Sequence, residues 1–349
     1  MNKKLCAMAL SAVVAASLIA GCGGGDKKQA AAKPDTSKPL VIKLSHVFSP
    51  AEQLSKSMVM VTDRIRTKTK GRIDIQCFGQ GQIATYKDGL EQVAQGADFI
   101  SVEDPSYVGD YVPDFKPLVG PMMYESYDEY VKMIETPMVK DMIKKAEEKG
   151  VKILALDYIF GFRNLEVNKV IKTPEDLKGM KLRVPGSKLF IDTINAMGAT
   201  ATGMPYSETL SAVSAKTVDG LEGSEFSNDG TKVYEVCKNV ATTKHFLGTC
   251  GVYISPKTWA KMTPEEQKIV ADEFAFGGKE MTDLIKKDYD RTYKHLLEMG
   301  VKFNDVDHAA FNKAVEKVYL DMEEKQGATK GISKKMHEEV AKIRASLKK

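Results

Sequence analysis

The chain is short of the residues and motifs on which most enzyme sites are built. It has five His and five Cys among 349 residues, with no Cys-x-x-Cys or Cys–His spacing of the kind that binds zinc. It also lacks a Gly-x-Ser-x-Gly elbow, a His-Glu-x-x-His motif, a P-loop and a Gly-x-Gly-x-x-Gly after a strand. These absences argue against hydrolytic, zinc-dependent and nucleotide-dependent chemistry.

The chain also lacks a strong excess of charge of either sign. Lys and Arg number 51 against 47 Asp and Glu, which gives a formal net charge of +4. Lys3 and Lys4 belong to an N-terminal segment that we expect to be removed, so the mature chain is nearer about +2. No clustered basic stripe is present, and nucleic acid is therefore not expected as a partner.

An apolar run at residues 5–20 follows the two N-terminal lysines. It is shorter than a typical transmembrane helix, and its flanking residues are those of a secretory signal peptide. The run leads into the letters IAGC, in which small residues precede Cys22 as in a bacterial lipobox. This pattern predicts a signal peptide at 1–21 and a lipid on Cys22. An ordinary signal peptide with an incidental Cys is the alternative.

Residues 22–38 are rich in Gly, Lys, Ala, Asp, Pro and Ser and contain no large apolar residue. Such a segment cannot bury enough apolar surface to offset the entropy lost on ordering. We therefore expect a flexible tether between a lipid anchor and the folded part of the chain.

Three further cysteines follow the tether: Cys77, Cys237 and Cys250. A disulfide between Cys237 and Cys250 is compatible with an exported protein. Buried free thiols are the simpler interpretation, because free Cys commonly packs as a small apolar residue.

The roughly 310 remaining residues are enough for two lobes, and residues 173–223 carry the clearest signal. Strand and helix patterns alternate there in short units, which is typical of an α/β fold with mostly parallel strands. Arg183 lies on the polar face at the end of a strand that Pro185 terminates, and open parallel sheets bind ligands beyond such strand ends. Its guanidinium suits a carboxylate; a structural ion pair is the alternative.

Several segments of the chain resemble the substrate-binding subunit of tripartite ATP-independent periplasmic (TRAP) transporters, the DctP family. They occur in the order PEDLKGMKLRVP, GAT, GMPYSE and TVDGLEG, and the resemblance extends from about residue 40 to the C-terminal helices. It implies an α/β, two-lobed fold like that of periplasmic binding proteins, with a cleft between the lobes and a long helix spanning both.

The resemblance also implies where the chain passes between the lobes. The first lobe is expected to comprise residues 39–160 and 249–288, and the second lobe residues 161–248 and 289–349. The helical pattern that begins at Thr263 continues for roughly 50 Å at 1.5 Å per residue, which fits the helix that spans both lobes. Gly277-Gly278 interrupts this pattern and indicates a bend or a flexible point.

Three residues of the second lobe gain a role from the resemblance. Arg183 is expected to pair with the carboxylate of the ligand, and Arg163 to support it. Tyr206 occupies a position that the family fills with an aromatic residue, whose ring could pack on the carbon skeleton of the ligand. The alternative for Tyr206 is an aromatic plug of the core.

Three residues of the first lobe, His46, Tyr86 and Glu103, match positions that face the ligand in this family. A carboxylate at Glu103 can receive a ligand hydroxyl or amine. From the sequence pattern alone, His46 is as well explained as a structural residue and Glu103 as a helix cap.

Gly223 is a departure from the family, many members of which carry Asn at this position. Gly223 has no side chain to offer a ligand carboxylate. Its backbone N–H could serve instead, Glu225 or Asn228 could take its place, or the ligand could differ.

The resemblance therefore implies an exported, lipid-anchored binding protein that captures a small organic acid and delivers it to a TRAP permease in the membrane. No catalysis, metal or cofactor is expected, and we expect a monomer. The alternatives are a binding protein for another importer or a sensor kinase, and an exported enzyme acting on a small acid.

Overall fold

A mixed sheet runs through the computed structural model, which describes residues 34–348. The predicted signal peptide at 1–21, the predicted lipid site at Cys22 and most of the tether lie outside the described residues. No helix in the described part of the chain is long and apolar enough to cross a membrane.

Nine strands form this sheet within residues 34–348. Their spatial order is β2-β1-β3-β8-β4-β7-β5-β6, and β9 pairs with β8. Strands β1 to β3 are parallel to one another, as are β5 to β7. We call the half of the fold around β1–β3 the first lobe and the half around β5–β7 the second lobe. In chain order the strands are β1 (Leu40–Ser45), β2 (Ile73–Phe78), β3 (Phe99–Glu103), β4 (Lys152–Val167), β5 (Lys181–Val184), β6 (Thr200–Gly203), β7 (Gly220–Gly223), β8 (Asn239–Ile254) and β9 (Lys302–Asn304).

Two long strands join the lobes. β4 and β8 have 16 residues each and pair with one another in antiparallel register. Register shifts interrupt this pairing, among them one between Ile159 and Gly161 and one between Arg163 and Leu165. β8 also pairs with β3 in the first lobe, and β4 with β7 in the second. The connection between the lobes is therefore made of sheet.

Twelve α-helices accompany the sheet in the described residues. Several begin at a capping residue; Thr263 forms a capping box with Glu266, and Pro264 takes the first helical position of the longest helix. The helices are α1 (Gln53–Lys68), α2 (Tyr86–Gln95), α3 (Phe115–Leu118), α4 (Tyr127–Ile134), α5 (Pro137–Glu148), α6 (Lys188–Ala196), α7 (Thr209–Ser214), α8 (Glu225–Thr231), α9 (Pro256–Trp259), α10 (Pro264–Glu298), α11 (His308–Lys325) and α12 (Ile332–Leu347).

The long helix α10 has 35 residues and continues through Gly277 and Gly278 without a break. A Cβ atom at Gly277 would overlap the side chain of Val61 and lie 2.6 Å from the hydroxyl of Tyr158. One at Gly278 would overlap the carboxyl group of Asp157. The two glycines therefore let α10 approach α1 and β4 closely, and the bend or flexible point that the sequence indicated there stays a prediction.

The last two helices contact different parts of the fold. Gln326, just after α11, donates to Asp192 of α6 at 2.8 Å. Arg344 of α12 donates twice to Glu129 of α4, at 2.8 and 3.0 Å. Helix α12 thus packs against a helix that the sequence placed in the first lobe, and the expected boundaries of the lobes stay a prediction.

The three cysteines of the described residues are free. Cys237 and Cys250 are buried, and Cys77 is half-buried. Burial raises the pKa of the Cys237 thiol to about 12 and that of Cys250 well above its ordinary value. The simpler interpretation of the sequence, buried free thiols rather than a disulfide, is therefore confirmed for this pair.

Replacing Gly277 with Ala should destabilise the protein, because the added methyl group overlaps Val61 and Tyr158. Overpacking of this kind costs about 1–3 kcal/mol, so the thermal midpoint should fall by several degrees. Lys279→Ala, two residues away on the exposed side of α10, is the matched control and should leave the midpoint unchanged. Equal midpoints for the two variants would show that the contact tolerates a side chain.

Candidate functional site

A cavity of about 600 Å³, its mouth included, lies between the two lobes. Its walls come from the ends of β3 and β5, the start of α2, the middle of β4, and residues of β7 and α8. The structure brings six of the predicted ligand residues to these walls: Tyr86, Glu103, Arg163, Arg183, Tyr206 and Gly223.

Arg183 lies in the cavity wall at the carboxyl end of β5 and is only 1% exposed. Its Nε and Nη2 donate to the carbonyl of Met204 at 3.2 and 2.9 Å, and Nη2 also donates to the Tyr86 hydroxyl at 3.3 Å. Among residues 34–348, no carboxylate oxygen lies within 4.0 Å of its nitrogen atoms. The structural ion pair considered as an alternative is therefore not found there, and this buried charge is available to an anion.

Tyr86 lies beside Arg183 in the cavity wall. Its hydroxyl oxygen accepts from Arg183 and, at 3.1 Å, from the backbone N–H of Tyr206. Since both contacts use the oxygen as an acceptor, the O–H of Tyr86 itself is left to donate. Tyr86 has a φ of 55°, an uncommon conformation for a bulky residue, and its N–H donates to Glu103 at 2.6 Å.

Tyr206 covers Arg183 from the second lobe. The Cζ atom of Arg183 lies 5.3 Å from the centre of the Tyr206 ring, which is a cation–π distance. The ring also lies 6.2 Å from the ring of Phe48 in the first lobe. Tyr206 is half-buried and lines the cavity, so it is not a plug of the core.

Arg163, unlike Arg183, already has a counter-ion. Its Nε and Nη2 donate to the two carboxylate oxygens of Glu222, both at 2.5 Å. The guanidinium lies between the rings of Phe160 and Phe190, at 5.7 and 5.1 Å. Nε2 of His245 lies 3.5 Å from the same carboxylate. Because Glu222 neutralises Arg163, the positive charge that is free to attract a ligand resides on Arg183.

Three further carboxyl groups line the cavity, and burial raises the pKa of each. The pKa of Glu103 is raised to about 8 and that of Asp104 to about 6. Burial, reinforced by the nearby Glu225 and Glu222, raises the pKa of Glu166 well above its usual range. At neutral pH, Glu103 is therefore protonated and does not cancel the charge of Arg183.

The neighbourhood of Gly223 bears on the alternatives left open by the sequence. Asn228 lines the cavity, whereas Glu225 does not line it and accepts instead from Asn164 at 2.9 Å. A Cβ atom at Gly223 would lie 3.1 Å from Oε1 of Glu166, and Asn228 donates to the other carboxyl oxygen, Oε2, at 3.0 Å. Of the two alternatives, the structure thus brings Asn228 to the cavity.

Glu166 is a cavity residue that sequence reasoning missed. It is 1% exposed and lies within β4. The available signal was an acidic residue near the end of the stretch FGFRNLEV, three positions after Arg163. That stretch alone does not show which face of the strand meets the cavity, because register shifts interrupt the pairing of β4.

His46 is the predicted residue that the structure does not bring to the cavity wall. It is 1% exposed, and its ring packs so closely on Gly79 that a Cβ there would lie 2.8 Å from the imidazole. Burial lowers the pKa of His46 to about 4, so the ring is neutral. These contacts agree with the structural alternative for this residue. Among residues 34–348, no cluster of three or more His, Cys, Asp or Glu could hold a metal ion.

The chain belongs to the bacterial extracellular solute-binding proteins, family 7, which its residues 44–326 match. Members of this family bind solutes outside the cytoplasm and are not enzymes. Together with the solved structures that resemble it, the match confirms the prediction of a two-lobed solute-binding protein of the TRAP type.

Three of these solved structures are TRAP periplasmic solute-binding proteins. One from Desulfovibrio salexigens, in complex with diglycerolphosphate, is 57% identical with a TM-score of 0.86, covering 88% of this chain and 99% of that one. One from Fusobacterium nucleatum, with bound sn-glycerol-3-phosphate, is 44% identical with a TM-score of 0.86 and the same coverage. One from Actinobacillus succinogenes, with bound L-galactonate, is 30% identical with a TM-score of 0.81, covering 86% and 99%.

Removing the counter-ion of Arg163 and removing Arg183 itself should have different effects on the stability of the ligand-free protein. Glu222→Gln leaves Arg163 as an uncompensated buried charge, which costs about 3–5 kcal/mol and should lower the thermal midpoint by roughly ten degrees. Arg183→Met removes a buried charge that has no partner, so the midpoint should stay level or rise. A fall for Arg183→Met as large as that for Glu222→Gln would contradict this distinction.

Affinity for an anion should fall as the pH rises through about 8. An anion bound near Glu103 favours its protonated form, so binding is strongest below the raised pKa and weakens above it. Glu103→Gln keeps an acceptor for the Tyr86 N–H and stays neutral, so it should flatten this decline. Titration calorimetry between about pH 7 and about pH 9.5 measures both. Glu91→Gln, at an exposed position of α2, should keep the wild-type profile.

Proposed function

We propose that this protein captures a phosphate ester of glycerol, or a closely similar polyol phosphate, in the cavity between its lobes. It then delivers the ligand to the membrane subunits of a TRAP transporter. The observation that carries the proposal is the pairing of Arg183, a buried cation without a carboxylate partner in the described residues, with a Tyr86 hydroxyl that is free to donate.

An anionic oxygen is the group that this pair would bind. Arg183 offers N–H groups in a planar fork, and such forks bind phosphate and carboxylate alike. The Tyr86 O–H would donate to the same anion. Tyr206 would cover the anion from the second lobe, and Arg163, held by Glu222, would act by shaping the wall between Phe160 and Phe190.

The uncharged polar groups in the cavity wall are suited to hydrogen bonds with the hydroxyl groups of a ligand. The hydroxyl of Tyr107 and Oδ1 of Asn228 are buried in its wall without a hydrogen-bond partner in the described residues. Glu103 and Glu166 add carboxyl groups, which both donate and accept when protonated. A polyol would satisfy these atoms, with Asn228 and Glu166 serving where Gly223 has no side chain.

Phosphate is favoured as the anion by the similar solved structures. Both the 57% and the 44% identical proteins hold a glycerol phosphate. A carboxylate, as expected from the sequence, is the second candidate, because the 30% identical protein holds L-galactonate. Both candidates are small hydroxylated acids and place the anion at Arg183.

Closure would trap the ligand between the lobes, which we take as residues 39–160 with 249–288 and residues 161–248 with 289–349. Excluding water strengthens the pairing of Arg183 with an anion. A ligand that binds only the closed form shifts the population towards it. The permease would then recognise a surface to which both lobes contribute.

Attachment to the membrane is a further part of the proposal. Cleavage after residue 21 would leave Cys22 as a lipid-bearing N-terminus, and two or more acyl chains give stable anchoring. Residues 23–38 would act as the tether that lets the folded domain reach its permease. The protein would work as a monomer on the outer face of the cytoplasmic membrane or in the periplasm.

The purified protein should bind sn-glycerol 3-phosphate and should not bind glycerol, which lacks the anion. Ligand at about 100 times its Kd adds about 2.7 kcal/mol of stability, which should raise the thermal midpoint by several degrees. Arg183→Ala should abolish this rise. Arg66→Ala, which removes an exposed arginine of α1, should keep it.

The same measurement of the thermal midpoint, made with each ligand in turn, separates the two candidate anions. Stabilisation by L-galactonate without an effect of sn-glycerol 3-phosphate would favour the carboxylate. Stabilisation by glycerol alone, or normal binding by Arg183→Ala, would overturn the account of the site.

A further inference from the structure

Glu52 is a buried acid of the first lobe that lies outside the cavity wall. It immediately precedes α1 and is 5% exposed. One of its carboxyl oxygens accepts from the backbone N–H of Ser49 at 2.7 Å, which fixes the side chain against its own turn. The other oxygen lies 3.3 Å from the hydroxyl of Tyr206. Glu52 therefore makes a hydrogen bond across the cleft, to the second lobe.

The second lobe also packs closely against the aliphatic part of the Glu52 side chain. A Cβ atom at Gly230 of α8 would lie 2.5 Å from Cγ of Glu52 and 3.6 Å from its Cα and Cβ. Any side chain at Gly230 would therefore hold the two lobes apart at this point. Burial raises the pKa of Glu52 to about 7, as befits a carboxyl group that the closed lobes remove from water.

Charged groups surround Glu52 on the elements packed near it. A neighbouring pocket contains Lys56 from α1, Asp229 from α8, and Asp288 and Arg291 from α10. Arg291 donates to Asp288 at 2.6 and 2.5 Å. No Lys, Arg or His nitrogen of residues 34–348 lies within 4.0 Å of the Glu52 carboxyl. Tyr206 and Ser227 are thus the polar groups of the other lobe that lie beside it.

Tyr206 connects Glu52 to the anion-binding pair. Its ring covers the guanidinium of Arg183, and its backbone N–H donates to the hydroxyl of Tyr86. Contacts at both its hydroxyl and its backbone restrict movement of the ring away from Arg183. Loss of the Glu52 contact would remove the hydrogen bond between its hydroxyl and the first lobe.

We infer that Glu52 is a positioning residue that latches Tyr206 across the closed cleft, so that the ring stays over Arg183 and retains the bound anion. The inference rests on the proposed function, because it requires a ligand held between the lobes. The latch joins groups from opposite lobes, so it exists only when the cleft is closed. It therefore slows the release of the ligand and has little effect on its entry.

A double-mutant cycle on ligand release tests the latch. Tyr206→Phe removes the hydroxyl and retains the aromatic ring, and Glu52→Ala removes the carboxyl. Each should raise koff for sn-glycerol 3-phosphate about three- to tenfold, the worth of one hydrogen bond, and leave kon unchanged. The double variant should release the ligand no faster than either single variant, because both remove the same contact.

Two conservative variants distinguish positioning from a general loss of structure. Glu52→Gln keeps an acceptor for Ser49 and an amide N–H that can donate to the Tyr206 hydroxyl, so it should restore most of the wild-type koff. Glu208→Gln changes an exposed acid in the turn after Tyr206 and should have no effect. A partly unfolded variant would bind less ligand per mole of protein without altering koff.

Additive effects of Glu52→Ala and Tyr206→Phe, or a wild-type koff in Tyr206→Phe, would overturn the latch and leave the proposed function intact. Failure of the wild-type protein to bind sn-glycerol 3-phosphate or L-galactonate would instead count against the proposed function, and the latch would fall with it.

Discussion

The burial of Arg183 without a carboxylate partner in the described residues is the constraint on which the site depends. Removing a guanidinium from water costs several kcal/mol unless a counter-charge compensates. Here a backbone carbonyl and a tyrosine hydroxyl accept hydrogen bonds from the guanidinium. Both acceptors are neutral, so the positive charge beside the cavity is not compensated. The rigid end of a parallel strand holds the residue in place, so a single anion entering the cavity recovers much of that cost.

Arg163 and Arg183 show that environment, and not residue type, decides what a buried arginine does. Both line the same cavity, but Arg163 forms an ion pair with Glu222, and His245 lies beside the same carboxylate. Burial disfavours the charged forms of Glu103 and Glu166, so these carboxyl groups supply polarity and compete little for Arg183. The cavity therefore combines one free positive charge with several neutral hydrogen-bonding groups, which is the complement of a small hydroxylated anion.

Local pattern and family resemblance were enough to predict the strand that ends at Arg183, the long helix and the two-lobed fold. The contacts that set each residue's role are long-range and could not be predicted in the same way. The pairing of Arg163 with Glu222 joins residues 59 positions apart, and the close packing at Gly277 depends on Tyr158 of β4. His46 fits a strand-end pattern equally well as ligand residue or as core, and only its contact with Gly79 distinguishes them.

Hydrogen bonds cross the cleft beside the aromatic contact of Phe48 with Tyr206, and their strength matters for how a ligand can control closure. Tyr86 meets Tyr206 and Arg183, Ser106 meets Ser187 at 2.8 Å, and Glu52 meets Tyr206. Hydrogen bonds of this kind contribute about 0.5–1.5 kcal/mol each, because water replaces them when the cleft opens. Their sum is small enough that the pairing of an anion with Arg183 can decide between the open and closed populations. A cleft lined by a large apolar interface would instead stay closed whether or not a ligand was present.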